Sequence, residues 1–555
     1  MNQIMINMGN VTILKRALVF SSFLFVFKVA SGQVEKSQEI ASLYKDLPFK
    51  MQEVQQPLFN DYSVNIKDFG AKNDGMTTNT KAIASAIARV VAKGGGTVVI
   101  PEGLWLTGPI ELKSNVRLLT ERGTIVIFTR NYDEYPMVKT WYEGQSCWRT
   151  MSPIFAKDAE NIAITGPGLF NGNGDAWRPV KKTNIRAGLW QKFISSGGVL
   201  NNKETVWYPT EGALKGSTMT DSPAERTEKE SKGIREFLRP VMVDLINCKK
   251  IMIEGVTFQN SPAWCLHPFM CENLTVNNIT VANEDWAANG DAIDLESCRN
   301  ALITNSNFNA GDDAICMKSG KDEEGRKRGI PTENVIIYNC RVFDGHGGFV
   351  VGSEMSGGVR NILVKHCSFI GTDNGLRFKS TRGRGGVVEN IYISDITMTN
   401  IERDAILYDL YYMSREDDSN VPADESTPQF RNIYMKNIVC KGADRAILFQ
   451  GLPEMTLKDI YLENVTIEAR TGIFCKDAEH IQMKNVQIYT KELPVVDIKN
   501  STDIVMDNLL YGDVAGTIIK ISGEKTNKVQ CIHTPIKRDN INTGSEVKPG
   551  AVMMN

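Results

Sequence analysis

From about residue 250 onward, the chain repeats one pattern of polar and apolar positions. Each repeat begins with a polar residue, and apolar residues then occupy every second position. The first apolar residues of ten such repeats are Ile251, Leu274, Ala301, Val335, Ile362, Ile391, Ile433, Ile460, Ile481 and Ile504. The shorter steps between them are about 22 residues, and insertions account for the longer ones. Because alternation of period two marks strands with one buried face, these repeats predict an all-β solenoid, a parallel β-helix whose equivalent strands stack coil on coil.

A second ladder follows later in each repeat, where a small residue precedes an apolar one. Its members are Ala292-Ile293, Ala314-Ile315, Gly348-Phe349, Gly375-Leu376, Ala405-Ile406, Ala446-Ile447 and Gly472-Ile473. Because these pairs recur once per repeat, they predict a second set of stacked strands. Residues at equal offsets from this ladder are therefore expected to lie next to one another in space.

The cysteines also occupy equal offsets. Cys248, Cys271 and Cys298 each lie three residues before a repeat start, and Cys340 and Cys367 each lie five residues after one. Equal offsets favour ladders of small buried side chains. Disulfides are the alternative, although the total of 11 cysteines is odd and cannot pair completely within the chain.

The remaining parts of the chain predict accessory segments. Residues 80–91 have apolar positions at helical spacing, and Gly94-Gly95-Gly96 ends the pattern, so we expect a helix that caps the open end of the solenoid. Residues 177–237 are polar and irregular, which predicts a long loop excursion. The solenoid is assigned to residues 62–530, and residues 531–555 to a C-terminal tail with frayed final residues.

The N-terminus has the pattern of a secretory signal peptide. Lys15 and Arg16 precede an apolar run over residues 17–27, and Ala30 and Gly32 fit the small-residue rule for cleavage. We expect a signal peptide over residues 1–32, a lead-in over 33–61, and export to the periplasm or the exterior. The alternative is an uncleaved N-terminal anchor.

Composition narrows the possible partners. Hydrophobic residues make up 42% and charged residues 23%, as in ordinary soluble domains. The net charge is −2, so the chain as a whole does not attract nucleic acid or anionic membranes. An anionic ligand must then be bound by a few placed cations. We expect a monomer without a nucleic-acid or membrane partner after signal cleavage.

Candidate chemistry is concentrated in four motifs on four consecutive repeats. They are Asn289-Gly290-Asp291, Gly311-Asp312-Asp313, Gly345-His346-Gly347 and Arg377-Phe378-Lys379. Stacked strands lie about 4.8 Å apart, so the equal offsets gather three carboxylates, one imidazole and two cations into one patch. Each residue alone could have a structural role, but their convergence on adjacent coils favours a shared function.

This patch suits hydrolysis of an acidic glycan. Close carboxylates repel one another, so at least one should keep its proton near neutral pH. An acid beside a base is what glycoside hydrolysis requires. Arg377 and Lys379 alternate by two on one strand and therefore face the same way, which suits a carboxylate on the ligand.

The four motifs resemble those of glycoside hydrolase family 28, the polygalacturonase family, whose signatures are Asn-Thr-Asp, Gly-Asp-Asp, Gly-His-Gly and Arg-x-Lys. The resemblance covers about residues 62–511 and includes Asp68-Phe69-Gly70-Ala71 and Asp74-Gly75, typical of bacterial and plant-like members. The chain departs at Gly290, where the family usually has Thr. The resemblance implies a right-handed parallel β-helix that hydrolyses α-1,4-galacturonosidic bonds with inversion and needs no metal or cofactor.

The resemblance also implies a role for each residue of the patch. Asp312 matches the general acid, Asp291 and Asp313 match the pair that activates water, and His346 would orient or tune the acid. Arg377 and Lys379 would bind the galacturonate carboxylate at the +1 subsite. The further substrate contacts that it implies are Asn289, His267 and Tyr412, with Tyr408 and Tyr411 near enough to replace Tyr412.

Several functions remain open at this stage. The first is galacturonan hydrolysis, with exo action favoured because the 177–237 excursion is long enough to close one end of a cleft. A rhamnogalacturonan hydrolase would use the same fold, but two cations would be wasted on a neutral rhamnose. A pectate-lyase-like enzyme would need a cation site and a strong base. A non-catalytic glycan-binding solenoid is the remaining alternative.

Overall fold

The computed structural model describes residues 40–416, 419 and 421–554. The chain forms two compact units, residues 1–53 and Val54–Asn555. In the first unit, residues 40–45 are helical. The signal peptide predicted for residues 1–32 and the cleavage site before Gln33 lie outside the described residues. None of the helices in the described part of the chain is both long and apolar enough to span a membrane.

The second unit consists mainly of short parallel strands in two large sheets. The fourteen-stranded sheet contains Ile110–Glu111, Ile154–Lys157, Val243–Ile246, Leu266–Phe269, Ile293–Glu296, Asp313–Lys318, Gly347–Val351, Leu376–Lys379, Asp404–Asp409, Arg445–Gln450, Thr471–Lys476, Val496–Lys499, Ile519–Ser522 and Ile541–Thr543. Its strands lie side by side in the order in which they occur along the chain. Each coil of the chain therefore adds one strand to this sheet, which is the topology of a parallel β-helix.

The other large sheet has twenty-five strands. They are Ser63–Asn65, Asp74–Thr78, Gly96–Ile100, Gly103–Thr107, Val116–Thr120, Thr124–Phe128, Glu160–Thr165, Leu169–Asn171, Lys249–Glu254, Thr257–Gln259, Glu272–Asn277, Thr280–Ala282, Arg299–Thr304, Asn307–Asn309, Thr332–Tyr338, Arg341–Phe343, Val359–Lys365, Ser368–Ile370, Val387–Thr399, Gln429–Lys441, Leu457–Ala469, Ala478–Thr490, Thr502–Tyr511, Asn527–Ile532 and Val552–Met554. Most coils contribute two short strands to it, and several later coils contribute one long strand instead.

The sequence repeats predicted the register of both sheets. All ten predicted repeat starts pair in succession, from Ile251 with Leu274 to Ile481 with Ile504. The second ladder also pairs in succession, from Ile293 with Ile315 to Ile447 with Ile473. The predicted parallel β-helix is thereby confirmed residue by residue.

The polar residue that opens each repeat has a backbone role. All ten of these residues have φ between 53° and 59°, in the left-handed region. Asn, Asp and His enter this region far more readily than β-branched residues do. The repeat therefore begins with a polar residue because the chain bends there before each strand.

The interior is filled by the alternating apolar side chains. Stacked rings such as Phe170 and Phe258, whose centroids are 5.6 Å apart, run along the solenoid axis. All eleven cysteines lie among the described residues, and they are free and buried. The prediction of buried cysteine ladders is confirmed, and the disulfide alternative is wrong.

The capping helix is also confirmed. It covers Thr80–Ala92 and buries Ile83, Ala86, Ile87 and Val90. The other α-helices of the described part of the second unit are Ala187–Ser195, Glu211–Ser217, Glu228–Lys232 and Asp322–Arg328. Its single-turn 3₁₀ helices are Ile66–Phe69, Tyr132–Glu134, Gly174–Ala176, Lys182–Asn184, Pro223–Glu225 and Arg538–Asn540.

Two predictions about accessory segments were wrong. The 177–237 excursion is not irregular. It contains three of the α-helices, two of the 3₁₀ helices and a small sheet of Val180–Lys181, Val199–Leu200 and Val206–Tyr208. Trp190, Phe193 and Trp207 pack with Val180 into an apolar cluster of its own.

The tail was expected to start at residue 531, yet one more strand of each large sheet follows. Ile541–Thr543 pairs with Ile519–Ser522, and Val552–Met554 pairs with Asn527–Ile532. The apolar alternation is too short there to stand out in sequence, although the sheets continue.

An antiparallel hairpin inserted before the excursion covers part of the fourteen-stranded sheet. Its strands are Met137–Tyr142 and Gln145–Thr150. Trp141 stacks on Phe269 with ring centroids 4.8 Å apart, and Thr140 Oγ1 donates to Asp244 Oδ2 at 3.0 Å. The hairpin therefore buries the outward face of the sheet where it lies.

Candidate active site

Three of the four motifs lie where the chain turns from the larger sheet into the fourteen-stranded sheet, and the fourth, Arg377-Phe378-Lys379, lies within the strand Leu376–Lys379. These turns follow Thr280–Ala282, Asn307–Asn309 and Arg341–Phe343 on successive coils. A cavity of about 370 Å³ opens there. It is lined by Glu143, Trp264, Asn289, Asp291, Asp312, Asp313, Lys318, Lys321, Ser353, Glu354, Lys379, Arg384, Tyr412 and Met413. The three predicted aspartates thus share one cavity.

The aspartates form a compact cluster. One carboxylate oxygen of each of Asp291, Asp312 and Asp313 lies within 4.8 Å of the other two. Within the described residues, this is the only group of acidic, His or Cys side chains spaced closely enough to hold a metal ion. Two cationic side chains already bind Asp313, so part of the negative charge of the cluster is balanced within the protein.

Asp313 is the ion-paired member of the cluster. Arg377 Nη1 donates to its Oδ1 at 2.8 Å, and Lys379 Nζ donates to its Oδ2 at 2.6 Å. Burial opposes ionisation of Asp313, but the charges of Lys379 and Arg377 outweigh it and hold the pKa of this carboxyl well below its usual range. The two cations do face the same way, as the spacing predicted, and Asp313 is their partner.

Asp291 is the member whose ionisation is least favoured. It is 3% exposed, and its Oδ1 has no hydrogen-bond partner among the described residues. Burial and the nearby charges of Asp294 and Asp312 raise its pKa well above the usual range. Asp291 is therefore the candidate for the carboxyl that was predicted to keep its proton.

Asp312 forms a pair with His346. Their side chains meet at 2.8 Å between His346 Nδ1 and Asp312 Oδ1, and the backbone N–H of Asp313 donates to the same oxygen at 3.0 Å. The hydrogen bond with Asp312 raises the pKa of His346 against the opposing effect of burial. The Asp312 side chain is 22% exposed, against 2% for Asp313, so Asp312 is the more accessible of the two.

Sequence reasoning missed Lys318, which is buried at the centre of the cavity wall. Its Nζ donates to Glu354 at 2.9 Å, lies 3.6 Å from Asp294 and is 4.9 Å from the centroid of the Trp264 ring. Burial raises the pKa of Asp294 to about 7, although the charge of Lys318 opposes the rise. Lys318 lies four residues after the small residue of its repeat, as Lys379 does, so the same offset rule could have found it.

Two more cations line the cavity. Lys321 follows the strand that carries Asp313 and Lys318, and Arg384, which is ion-paired with Asp322, comes from the loop after Leu376–Lys379. Together with Lys318 and Lys379, they make four cationic side chains in the lining. No repeat offset marks Lys321 or Arg384, since both lie in irregular connections.

The three candidate tyrosines have different environments. Tyr412 lines the cavity, and Lys379 Nζ lies 4.7 Å from its ring centroid. Tyr408 is fully buried and stacks on Phe378 at 4.3 Å, and Tyr411 is 5% exposed. Of the three, only Tyr412 lies where it could touch a ligand.

The prediction that His267 forms a subsite wall was wrong. His267 is fully buried, with Nε2 3.1 Å from Glu296 Oε2 and Nδ1 3.3 Å from Asp244 Oδ1. Burial opposes its protonation, but these two carboxylates outweigh burial and raise its pKa to about 9. The hairpin over Asp244 covers this part of the sheet, and Trp264 lines the cavity instead.

The departure at Gly290 has a steric reason. A Cβ at this position would lie 2.6 Å from the carbonyl oxygen of Ala287, so a threonine does not fit without movement of the loop. The preceding Asn289 lines the cavity, and its Oδ1 accepts from Arg239 Nη2 at 2.7 Å. The predicted substrate contact at Asn289 is therefore held in place from behind by a buried arginine.

Comparison with known proteins gives a consistent result. A model described as Glycosyl hydrolases family 28 matches residues 215–491, and one described as Rhamnogalacturonase A/epimerase, pectate lyase-like, matches residues 63–192. A probable polygalacturonase of Vitis vinifera is 28% identical over 73% of this chain and 74% of its own. An exo-poly-α-D-galacturonosidase of Dickeya chrysanthemi is 25% identical over 81% of this chain and 71% of its own.

A solved structure is similar over a comparable length. The crystal structure of a hyperthermoactive exopolygalacturonase from Thermotoga maritima is 33% identical, covers 79% of this chain and 94% of its own, and has a TM-score of 0.67. Residues from three of the four motifs line one cavity of a right-handed parallel β-helix, and His346 of the remaining motif contacts Asp312. The chain belongs to glycoside hydrolase family 28 and is a glycoside hydrolase.

Proposed function

We propose that the protein hydrolyses the α-1,4-galacturonosidic bonds of polygalacturonan, with inversion and from a chain end. One observation carries this proposal: four cationic side chains line the same small cavity as the three aspartates. The net charge of the chain is −2 and the lining also holds Glu143 and Glu354, so individual cations and not an overall positive charge would recognise a polyanion. The printed names of the relatives, which include polygalacturonase and exo-poly-α-D-galacturonosidase, agree with this substrate.

In the proposed mechanism, the Asp312–His346 pair supplies the proton for the leaving oxygen. Asp312 reaches the cavity, and His346 holds a proton beside it because its pKa is raised by their hydrogen bond. When Asp312 protonates the leaving oxygen, His346 can return a proton to Asp312 through that bond. His346 is thus a positioning residue that also restores the protonated form of Asp312.

Asp291 takes the proton from the attacking water in this proposal. It must first ionise, and Lys318 favours that ionisation because its charge lowers the pKa of Asp291 against the effect of burial. Asp313 stays ionised between Arg377 and Lys379 and helps to hold the water. Attack opposite the leaving group gives the β-anomer as the first product.

Arg377, Lys379 and Tyr412 bind the sugar on the leaving-group side in this proposal. The cations would exchange part of their bond with Asp313 for the carboxylate of a galacturonate. Exo action follows if the 177–237 excursion limits how far the sugar chain extends on the side of the cleaved bond opposite the leaving group. Export, as the N-terminal sequence predicts, would bring the enzyme to its polymeric substrate.

The test is an assay with de-esterified polygalacturonan as the substrate, in which the release of reducing ends and the size of the products are measured. We expect small products from the first minutes, while a random fall in polymer length would indicate endo action. Absorbance from unsaturated products would indicate a lyase instead. Cleavage of rhamnogalacturonan but not of polygalacturonan would reassign the substrate.

Stereochemistry is tested by proton NMR of the first product. Inverting enzymes usually separate their acid and base carboxyls by about 6.5–9.5 Å, and retaining enzymes by about 5–5.5 Å. One oxygen of each aspartate here lies within 4.8 Å of the others, which is an upper limit on the shortest oxygen–oxygen distance and not a measure of the separation between carboxyl centres. An α-anomer seen first would contradict inversion.

A further inference from the structure

A second cavity, of about 660 Å³, lies beside the active site and has no part in the mechanism above. Aromatic rings and polar side chains share its lining. The residues that matter here are Tyr132, Lys192, Phe193, Trp207, Asn260 and Trp286. We call this cavity the aromatic cleft.

The aromatic cleft and the active site belong to one row of turns. Asn260 follows the strand Thr257–Gln259, and Trp286 follows Thr280–Ala282 on the next coil. The turn after that carries Asp312. Since coils are spaced by about 4.8 Å, the cleft continues the active site along the solenoid axis. Arg377 and Lys379 lie on later coils, so cleft and cations are on opposite sides of the aspartates.

One loop, residues 283–290, contributes to both cavities. It places Trp286 in the aromatic cleft and Asn289 in the active site, three residues apart. Three residues span at most about 11 Å, so a linear sugar chain that fills the active site is close to the cleft. The two cavities are therefore near enough to bind neighbouring parts of one chain.

The loop packs closely on the glycine of the motif that carries Asp312. A Cβ at Gly311 would lie 2.5 Å from the carbonyl oxygens of Ala287 and Glu284, so the loop packs directly on the motif that carries Asp312. Arg239 Nη1 also donates to Ala288 O at 2.8 Å. Trp286 packs edge-on against Phe193 of the excursion, with centroids 5.5 Å apart. The cleft is thus preorganised.

The chemistry of the aromatic cleft suits a sugar that carries a carboxylate. Trp286 is partly exposed and presents a flat apolar surface, which a pyranose ring can cover. Lys192 is exposed, and among the residues that the structure describes its ammonium group has neither an ion-pair nor a hydrogen-bond partner. An unpaired ammonium beside an aromatic wall can bind a carboxylate without first breaking another bond.

We propose that the aromatic cleft binds galacturonate units of the substrate on the side of the cleaved bond opposite Arg377 and Lys379. This inference rests on the proposed function, because it takes polygalacturonan as the substrate. Trp286 would cover one sugar ring, and Lys192 would pair with a uronate carboxylate. The excursion would then be part of the substrate-binding machinery, since it supplies Lys192, Phe193 and Trp207.

The experiment compares Lys192→Gln and Trp286→Ala with the wild-type enzyme on oligogalacturonides of six and two units. We expect KM for the six-unit substrate to rise about tenfold in each variant with little change in kcat, since one charged or stacking contact is lost. The rise should be smaller for the two-unit substrate. For Lys192→Gln, added salt should narrow the difference from the wild type, because the lost contact is ionic.

Two controls separate this role from a structural one. Lys203→Gln removes an exposed lysine of the same excursion that does not line the cleft, and its KM should match the wild type. Trp286→Phe keeps an aromatic wall and should recover most of the affinity lost in Trp286→Ala. Calorimetric binding of the six-unit substrate in an Asp312→Asn background provides a readout that does not depend on turnover.

The outcomes distinguish this inference from the proposed function. An unchanged KM in both cleft variants, equal losses for both substrate lengths, or release of only single galacturonates from the end that faces the cleft would each overturn the inference and leave galacturonan hydrolysis standing. If the wild-type enzyme neither binds nor cleaves polygalacturonan, both proposals fall together.

Discussion

The larger sheet and the active site lie on the same stacked coils, but they differ in whether a polar residue is repeated from one coil to the next. On the larger sheet, coil after coil places asparagine at one position. Asn334 donates its amide to Asn300 at 3.3 Å, Asn361 donates to Asn334 at 3.1 Å, and Asn390 donates to Asn361 at 3.4 Å. Each side chain is satisfied by its own copy on the next coil.

In the active site, the copying stops after two coils: Asp291 and Asp313 share one offset before the small-residue ladder, and the next coil has Gly347 there. Asp313 is paired in register with Gly347, and the next strand brings Arg377 and Lys379 within hydrogen-bond distance of Asp313. A further aspartate on each coil would stack more like charges, which is unfavourable, and cations from a later coil bind Asp313 instead. In this solenoid, a repeated polar position stabilises the fold, and a broken repeat marks the site.

The largest test of this distinction is Asp312→Asn. Removing the proposed acid should lower kcat by about 10²- to 10⁴-fold, the usual contribution of general acid catalysis. The pKa of His346 should fall toward its ordinary value in the same variant, because the carboxylate that raises it is gone. Steady-state rates and NMR titration of the His346 ring check the two effects, and the circular dichroism spectrum should stay unchanged.

A folded Asp312→Asn enzyme with near-normal turnover would contradict the role of Asp312. An unchanged His346 titration would show that the pair observed here does not control this imidazole. The chain has five histidines, so each ring can be assigned by substitution.

Lys379→Met tests whether the charges of the site stabilise each other across coils. Lys379 is 4% exposed, and its loss leaves Asp313 with Arg377 as its remaining close cation. Breaking a buried ion pair from one side costs about 3–5 kcal/mol, so the free energy of unfolding should fall by about that amount near neutral pH. Urea unfolding measures it. A loss below about 1 kcal/mol would mean that Asp313 is solvated or protonated without Lys379.

The sequence predicts this fold well because a solenoid converts offsets along the chain into neighbours in space. The register of all ten repeat starts follows from one periodic pattern, and the same offsets bring Asp291, Asp313 and Lys379 together. Lys318 was within reach of the same rule.

The features that could not be predicted from the sequence arise from insertions between the repeats. The hairpin of residues 137–150 covers His267 and turns an outward position into a buried one. Glu354, the partner of Lys318, lies in the connection after Gly347–Val351, where no repeat offset applies. Nothing periodic encodes which coil an insertion will cover, so burial of outward positions has to be seen in the structure.

Lys318→Met tests, through the pH dependence of activity, how one buried charge of the active site acts on its neighbours. The charge of Lys318 lowers the pKa of Asp291, Asp294 and Asp313 in the wild type, although burial raises each of them. Without this charge, all three pKa values rise, and Asp291 ionises only at higher pH. The acid limb of kcat/KM against pH should therefore move upward by about one pH unit.

The shape of the pH profile is the readout, because Lys318 also lines the cavity and its loss can lower the rate at every pH. Lys321→Met is the matched control. Lys321 lines the same cavity but is not among the principal charges that act on Asp291, Asp294 or Asp313. An acid limb that stays in place in Lys318→Met would remove Lys318 from the control of Asp291.

The smallest effect is expected on the asparagine ladder of the larger sheet. Two substitutions of Asn361 separate the contribution of its amide hydrogen bonds from that of its backbone conformation. Asn361 has φ of 57° and is hydrogen-bonded to Asn334 and Asn390. Asn361→Gly keeps the left-handed backbone free of steric cost and removes only the amide bonds, so it should cost about 0.5–1.5 kcal/mol. Asn361→Ala adds a Cβ in that backbone region and should cost about 1 kcal/mol more. Urea unfolding of both variants gives the two contributions, and kcat should equal that of the wild type in each. A fall in kcat comparable to that of Asp312→Asn would erase the distinction between repeated and broken positions, because a residue satisfied by its own copies would then be acting on the chemistry.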